Sequence, residues 1–385
     1  MATFKQYTKK DGTTAWQYQA YLGIDEATGK RKATTHRGFR TKKEAQISLN
    51  LFLADYERGL TAKTHEMTFA ELYELFLESY KIQVKVSTYA NTKRMMKNYG
   101  LPALGKYLVS KITVVQCQKI VNDWHSKYKS FRYMRAITGK VLQFAVQMEL
   151  IATNPMQNTF LPRKKPVEKV QNFYDKSQLQ HFFECVNDYL KRPIKTDMKL
   201  LVFFRLLAFT GMRKSEVLAL QWQDLNIFKN ELTISKTLAT DENYDVVIQS
   251  PKTASSTRTI SLDPETMMIL RRWRTKQLED MLYYGFNANS PAQFILTNTK
   301  NQPLYPTQVN RWLLVILRAY DLPKITLHGF RHTHATLLLE GGASIKEVQE
   351  RLGHNNVATT MNIYAHVVQE RREESGEKFA KYVNF

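Results

Sequence analysis

The first sixty residues alternate between apolar and polar positions, as half-buried β-strands do. Two alternating runs, at 16–21 and 32–39, are separated by a glycine-containing turn. Thr41 then has the features of a helix N-cap, with a glutamate three residues later and apolar residues at helical spacing beyond it. The pattern predicts a small module of β-β-α type over residues 1–60.

After this module, the spacing of apolar residues changes from every second position to every third or fourth. Thr68 is a predicted N-cap at the start of the first helix. Three more helices are predicted at 87–99 (ending before Gly100), 113–127 and 130–149. A basic segment bounded by prolines, residues 161–166, is typical of a linker. We therefore predict a helical domain over residues 66–165.

Helical and strand patterns are mixed in the last part of the chain, residues 172–385. The predicted elements are a helix at 200–209, a short helix after Arg213, strands at 232–235, 245–248 and 257–262, a helix after Asp263, and a helix from Ser344 to Gly353. This part is predicted to be a mixed α+β domain. The whole chain is then multidomain and mainly α with small β-sheets.

The charge balance points to a partner. The chain has 56 Lys and Arg against 35 Asp and Glu, a net charge of +21, which favours a polyanion such as nucleic acid. Composition alone leaves solubility or attraction to anionic lipid nearly level with that interpretation. Basic residues of the β-β-α module are interleaved with Tyr and Trp, which fits a sheet against a DNA groove and equally a solvated face.

Cysteine usage and hydropathy exclude several classes of protein. Cys117 and Cys185 lie far apart without partners at metal-ligand spacing, which argues against a disulfide framework or a zinc finger. No run of about eighteen apolar residues is present, and the first residues lack the apolar core of a signal peptide. We therefore expect a cytoplasmic protein that does not associate with membranes.

Four separate segments of the last domain contain residue types that can cut a phosphodiester without a metal ion. In the first, Gly211 ends one helix and places Arg213 at the start of the next. Glu216 follows about one turn later, close enough to pair with the guanidinium, although a surface Arg–Glu pair is the simpler interpretation. In the second, Lys252 is predicted near the tip of a hairpin. A tip lysine suits proton donation, but most loop lysines are only solvated.

The third segment places His328 and Arg331 one helical turn apart, able to face a common phosphate. His332 and His334 follow at a spacing that also suits zinc, but no carboxylate stands close to them. Phosphate binding by this segment therefore ranks above metal binding. For His332 and His334, solvation or packing against a helix ranks above both.

The fourth segment carries His354 at a helix end and Tyr364 ten positions later. Any one of the twenty tyrosines is compatible with a structural role. Tyr364 stands out through its company, because arginines, a lysine and histidines of the same domain offer charge stabilisation and proton transfer around one phenol.

These segments match, in order and approximate spacing, the catalytic boxes of tyrosine recombinases, and the whole chain resembles phage and conjugative-transposon integrases. The resemblance implies a catalytic set around the scissile phosphate: Arg213, Lys252, His328, Arg331, His354 and Tyr364. Tyr364 is then the nucleophile, and Glu216 supports Arg213. No metal ion or cofactor is implied.

The resemblance also implies a division of labour along the chain: arm-type DNA binding by 1–60, core-site binding by 66–165 and catalysis by 172–385. The implied enzyme is a site-specific integrase that cuts and rejoins double-stranded DNA through a 3′-phosphotyrosyl intermediate, integrating and excising a mobile element such as a prophage. It implies a homotetramer on DNA, a Holliday junction, and an excisionase or other directionality factor in a bacterial cytoplasm at the nucleoid. A tyrosine-type DNA topoisomerase and a non-catalytic architectural DNA-binding protein are the alternatives.

Overall fold

The computed structural model describes residues 2–9, 12–24, 29, 31–57, 67–162, 171–192, 198–251, 256–354 and 361. The chain divides into two compact units, Met1–Lys164 and Lys165–Phe385. Both contain helices and small sheets, and helices predominate, as the sequence predicts. In the described part of the chain, no helix is both long and apolar enough to cross a membrane.

The N-terminal module is a three-stranded antiparallel sheet with one helix packed on it. Its elements are β1 (Ala2–Thr8), β2 (Thr14–Ile24), β3 (Arg31–Phe39) and α1 (Lys42–Glu57), and the strand order is β1-β2-β3. Tyr18 and Ala45 are buried in the small core between sheet and helix. The alternating pattern predicts the last two strands but not β1, in which Phe4 is the one large apolar residue on the side of Tyr18.

Helices make up the rest of the first unit. They are α2 (Phe69–Gln83), α3 (Val86–Met95), a π-helical turn (Met96–Gly100), α4 (Leu101–Leu104), a 3-10 turn (Val109–Lys111), α5 (Val114–Lys127) and α6 (Phe131–Gln147). Two of them begin with capping boxes, in which Thr68 and Thr113 exchange hydrogen bonds with the third residue of the helix. Apolar residues at helical spacing form one core between the helices.

The predicted helix end before Gly100 is wrong, because the chain continues through the π-helical turn into α4. Gly100 has right-handed backbone, and a Cβ there would lie 2.5 Å from Cε of the buried Met96. This glycine therefore allows close packing and does not stop the helix. The sequence pattern cannot distinguish these two uses of glycine.

Residues 154–162, here called the exit segment, are fastened to α5 and α6 by side chains. Gln118 accepts a hydrogen bond from the Phe160 N–H at 2.7 Å and donates one to the Phe160 carbonyl at 3.2 Å. Arg135 donates to Thr159 Oγ1 at 2.7 Å and to the Gln157 carbonyl at 2.9 Å. Most of the predicted linker at 161–166 lies outside the described residues.

The second unit surrounds a buried central helix, α8, with helices and two small sheets. Its elements are α7 (Lys176–Lys191), α8 (Lys199–Thr210), α9 (Lys214–Val217), a 3-10 turn (Trp222–Asp224), β4 (Leu225–Asn226), β5 (Glu231–Ile234), β6 (Thr237–Thr240), β7 (Val246–Gln249), β8 (Arg258–Ser261), α10 (Pro264–Tyr283), α11 (Pro306–Ala319), α12 (Leu327–Glu340) and α13 (Ile345–Leu352). The helices after Asp263 and Ser344 begin where their predicted caps place them.

The hairpin predicted around Lys252 is wrong, because the strands on either side of it belong to different sheets. β7 pairs with β6, and β8 pairs with β5. The side chain of Asp241 accepts the backbone N–H groups of Asn243 and Asp245, which closes a hairpin one strand earlier than predicted. Lys252 itself lies outside the described residues.

Candidate active site

A sharp turn between α8 and α9 sets the position of Arg213. Gly211 has a φ of +65°, and a Cβ there would lie 2.5 Å from Leu352 Cδ2 and 2.7 Å from His334 Cδ2. Only glycine fits both the left-handed backbone and this close approach. Arg213 follows as the first residue of the α9 turn, with extended backbone and a partly exposed side chain. The guanidinium therefore stands where a solvent-borne ligand can reach it.

Glu216 holds Arg213 from inside the protein. Its carboxylate accepts the Arg213 guanidinium Nη1 at 2.7 Å and the Arg213 backbone N–H at 2.9 Å, so the pairing predicted from the spacing is present. Glu216 is 3% exposed, unlike one member of a surface pair. Burial alone would raise the pKa of Glu216, but Arg258 and Arg213 together hold it below its ordinary value.

Arg258, on β8, is a second partner of Glu216 that the sequence analysis missed. Its Nη2 donates to Glu216 Oε2 at 3.0 Å, its Nε to the Arg351 carbonyl at 2.7 Å, and its Nη1 to the Ser256 carbonyl at 3.0 Å. The strand alternation contains a hint, since Arg258 lies on the same face as the buried Ile260. A charged residue on the inward face of a strand indicates a buried partner.

Arg331, on α12, is the most deeply buried charge of the site, with 1% of the residue exposed. Its Nη1 donates to the Gly211 carbonyl and its Nη2 to the Leu352 carbonyl, both at 2.8 Å. Burial and the nearby Arg213 lower the pKa of Arg331 to about 9, which leaves it cationic at neutral pH. Arg331 thus joins the turn before Arg213 to the end of α13.

His328 lies one turn before Arg331 on the same helix, and its ring meets that of His332 edge to face at 4.7 Å. Partial burial, followed by His332, Arg331 and Arg213, lowers the pKa of His328 to about 4. Burial and Arg331 also lower the pKa of His332. Both imidazoles are therefore neutral near pH 7 and can accept a proton or a hydrogen bond.

His354 follows directly after α13, which ends at Gly353 in left-handed conformation. The backbone N–H of His354 donates to the Gln349 carbonyl at 3.1 Å, and the Gln349 side chain donates to the His354 carbonyl at 3.0 Å. Burial, Arg331, Arg213 and the other two histidines lower the pKa of His354 to about 3. Mutual effects of this kind require close approach, so these side chains converge on one cationic pocket.

His334 packs inside the protein, one of the two roles ranked first for it. Its Nδ1 is 2.8 Å from the Ala208 carbonyl, and its Nε2 accepts Arg351 Nε at 3.1 Å. Arg351 also donates to the carbonyls of Phe209 and Ser261, both at 3.2 Å. Both ring nitrogens of His334 are thus used within the fold, and no cluster of three or more His, Cys, Asp or Glu suited to a metal ion occurs among the described residues.

The pocket brings together four residues of the predicted catalytic set: Arg213, His328, Arg331 and His354. Lys252 and Tyr364 lie outside the described residues. Two guanidinium groups beside neutral imidazoles form a site for a tetrahedral oxyanion, with fixed positive charge and proton acceptors within one pocket.

Sequence profiles of known families match three segments of the chain. The profile described as "Phage integrase family" matches residues 172–371, which is more than half of the chain. The profile "Phage integrase, N-terminal SAM-like domain" matches 68–125, and "Arm DNA-binding domain" matches 4–56. The pocket lies within the first of these matches.

Individual relatives extend over nearly the whole chain. The ICEBs1 integrase of Bacillus subtilis (strain 168) is 26% identical over 374 residues, which cover 96% of this chain and 98% of the relative. The Tn1549 transposon integrase in complex with transposon right end DNA has a similar fold, with a TM-score of 0.62, 22% identity, and coverage of 82% of this chain and 100% of that chain.

A lambda integrase tetramer bound to a Holliday junction also shares the fold, with a TM-score of 0.57, 16% identity, and coverage of 91% of this chain and 95% of that chain. These matches give no support to the topoisomerase or the architectural alternative. The protein is a site-specific recombinase of mobile elements. Profile, relatives and fold agree that this chain belongs to the phage integrase family of tyrosine recombinases.

Proposed function

We propose that this recombinase breaks DNA with Tyr364 and that the cationic pocket holds the phosphate under attack. The Tyr364 oxygen forms a bond to phosphorus, the bond from phosphorus to the 5′ oxygen breaks, and a 3′-phosphotyrosyl link and a 5′-hydroxyl remain. The hydroxyl of a partner strand reverses the step on the new link. Bond energy is conserved, so neither ATP nor a metal ion is needed.

The observation that carries this proposal is the convergence of Arg213 and Arg331 with neutral histidines. Each arginine is anchored from behind, Arg213 by Glu216 and Arg331 by two carbonyls, so little reorganisation is needed when charge develops on the phosphorane. Like charges held this close are unfavourable without an anion between them. A DNA phosphate supplies that anion.

The proton steps use the remaining residues of the set. A phenol has an ordinary pKa of about 10 and needs a proton acceptor near neutral pH. His328 is neutral and accepts the phenol proton or hydrogen-bonds the phosphate, and His354 hydrogen-bonds the phosphate from the end of α13. Lys252 donates a proton to the departing 5′ oxygen.

We assign arm-type site binding to residues 1–60, core-type site binding to 66–165 and catalysis to 172–385. The order of the matched profiles and the net charge of +21 support this assignment. We further propose that four protomers act on two duplexes through a Holliday junction, in the cytoplasm of a bacterial host at the nucleoid, and that an excisionase sets the direction. The tetramer of the related lambda integrase supports the assembly.

The test is the Tyr364→Phe variant on a nicked duplex that carries the core site cloned from DNA beside the integrase gene. The nick lets the 5′-terminal fragment diffuse away, so the covalent intermediate accumulates. Wild-type protein is expected to form an adduct that migrates slowly in a denaturing gel. The variant is expected to bind the same duplex with unchanged affinity and to form no adduct.

Tyr283→Phe is the matched control, because Tyr283 is 86% exposed and lies at the end of α10. It is expected to form adduct at the wild-type rate. Undiminished adduct with Tyr364→Phe would refute the assignment of the nucleophile.

A further inference from the structure

The end of α13, from which His354 projects, is held by two buried arginines. Arg258 Nε donates to the Arg351 carbonyl at 2.7 Å, and Arg331 Nη2 donates to the Leu352 carbonyl at 2.8 Å. The last four carbonyls of an α-helix have no partner within the helix, and positive charge is favourable beside them. The two guanidinium groups thus cap successive carbonyls immediately before the turn that leads to His354.

Arg258 also reaches the opposite side of the pocket. Its Nη2 contacts Glu216 Oε2 at 3.0 Å, and the other oxygen of this carboxylate binds Arg213 Nη1 at 2.7 Å. One guanidinium therefore connects the support of Arg213 to the backbone that carries His354. We infer that Arg258 is a positioning residue that sets both groups for the cleavage step, an inference that rests on the function proposed above.

The three acceptors of Arg258 explain why an arginine occupies this position. They lie on α9, on the segment before β8 and on α13, and each takes a different nitrogen of the planar guanidinium. A lysine places its charge at one point and cannot span the three. With 6% of its side chain exposed, Arg258 is kept charged by Glu216, which is itself 3% exposed. This arrangement makes a conservative substitution informative.

The first test compares Arg258→Lys with wild-type protein on two versions of the nicked core-site duplex. One version has the natural phosphate at the cleavage position, and the other has a methylphosphonate, in which a methyl group replaces one charged oxygen. The methylphosphonate carries less charge for Arg213 to neutralise. We expect the cleavage rate on phosphate to fall about tenfold to a hundredfold, the range that small misplacements of catalytic groups produce. On methylphosphonate we expect a clearly smaller loss, with DNA affinity unchanged on both.

Arg205→Lys is the matched control. Arg205 is a buried arginine on α8 that donates to Thr266 Oγ1 at 2.8 Å and to Asp263 Oδ1 at 2.7 Å, so its replacement disturbs the same unit through different partners. A purely structural effect lowers the rates on both duplexes by one factor. Equal losses on phosphate and methylphosphonate in Arg258→Lys, matching the Arg205 variant, would overturn the inference. Absence of adduct with wild-type protein would instead overturn the proposed function.

A second variant keeps the question open to experiment if Arg258→Lys does not fold. The double variant Glu216→Gln with Arg258→Met removes the buried pair without leaving one charge unpaired, a replacement that proteins often tolerate. We expect the same preference for methylphosphonate, because Arg213 again loses its support. A double variant with wild-type rates on phosphate would contradict the inference directly.

Discussion

Arginines bind main-chain carbonyls in both the helical part of the first unit and the catalytic part of the second, but at very different depths. Arg135 fastens the exit segment near the surface, through Thr159 and the Gln157 carbonyl. Arg331 makes the same kind of contact with 1% of the residue exposed and other cations nearby. Equivalent hydrogen bonds therefore serve different ends in the two regions.

The difference lies in what surrounds the guanidinium. A surface arginine keeps its hydration, so such contacts contribute modestly to stability. A buried arginine among like charges is unfavourable until an anion arrives, and such residues persist where that anion is a ligand. The comparison separates arginines that fasten the fold from arginines that await a phosphate, and the following experiments test that separation.

The largest effect is expected for Glu216→Gln, which leaves Arg258 buried without its anion. Removing one partner of a buried pair costs about 3–5 kcal/mol in the free energy of unfolding. Because the folded-state pKa of Glu216 is lowered, its contribution is present above the unfolded pKa of about 4.3 and is lost as the pH falls through the lower folded value. Chemical denaturation from pH 7 to pH 3 should show the two proteins converging in acid. A constant difference across that range would exclude this origin.

Arg331→Ala should come next. Losing a donor to the developing phosphorane is expected to lower the adduct rate by about 10²–10³-fold. Arg135→Ala, the matched surface arginine, is expected to change that rate less than about twofold, since single surface contacts contribute about 0–1 kcal/mol. Single-turnover cleavage of the nicked duplex measures both. Similar losses in the two variants would remove the distinction between the two kinds of arginine.

The histidines of the pocket should produce a smaller effect, visible as proton uptake. The folded-state pKa values of about 4 for His328 and about 3 for His354 lie below the unfolded value of about 6.5. Their contribution to stability is therefore present above about pH 6.5 and declines as the pH falls below it. A bound phosphate raises both values, so binding near pH 5 should take up protons.

Calorimetry of DNA binding in two buffers with different ionisation enthalpies measures this uptake. His354→Phe should reduce it relative to wild-type protein, and His181→Phe, a substitution on the partly exposed α7, should leave it unchanged. Binding heats that do not depend on the buffer would show that the phosphate does not reach the histidines.

The smallest effect is expected in the helical region, from Gln118→Ala. The variant loses the paired hydrogen bonds to Phe160, which contribute about 1 kcal/mol each at most positions. Amide hydrogen exchange at Phe160 should become faster while catalysis on the nicked duplex stays unchanged. The exposed Lys119 offers the matched Lys119→Ala control on the same helix. Unaltered exchange at Phe160 would show that the exit segment is held by Arg135 alone.

Local features of the fold were predictable from the sequence. The caps at Thr68, Asp263 and Ser344 act within one helical turn, and the Arg213–Glu216 pair spans three residues, so spacing alone reveals them. The predicted strands at 232–235 and 257–262 fall close to β5 and β8 for the same reason.

Contacts between distant segments were not predictable in the same way. Arg258 and Glu216 are 42 residues apart, and nothing in a local pattern specifies that β8 pairs with β5 instead of β7. That choice depends on burying Leu232 opposite Ile260, a property of the assembled core. The roles assigned to Lys252 and Tyr364 remain predictions from the resemblance to the family.

The acceptors that Arg258 and Arg331 use at the end of α13 are main-chain carbonyls. A substitution changes a side chain but leaves the carbonyl in place, so the identities of the residues that provide these oxygens are free to drift during evolution while the pocket keeps its shape. The constraint falls on the donors alone. In a mutational scan, exposed positions of α13 should accept many residues, whereas Arg258 and Arg331 should accept almost none.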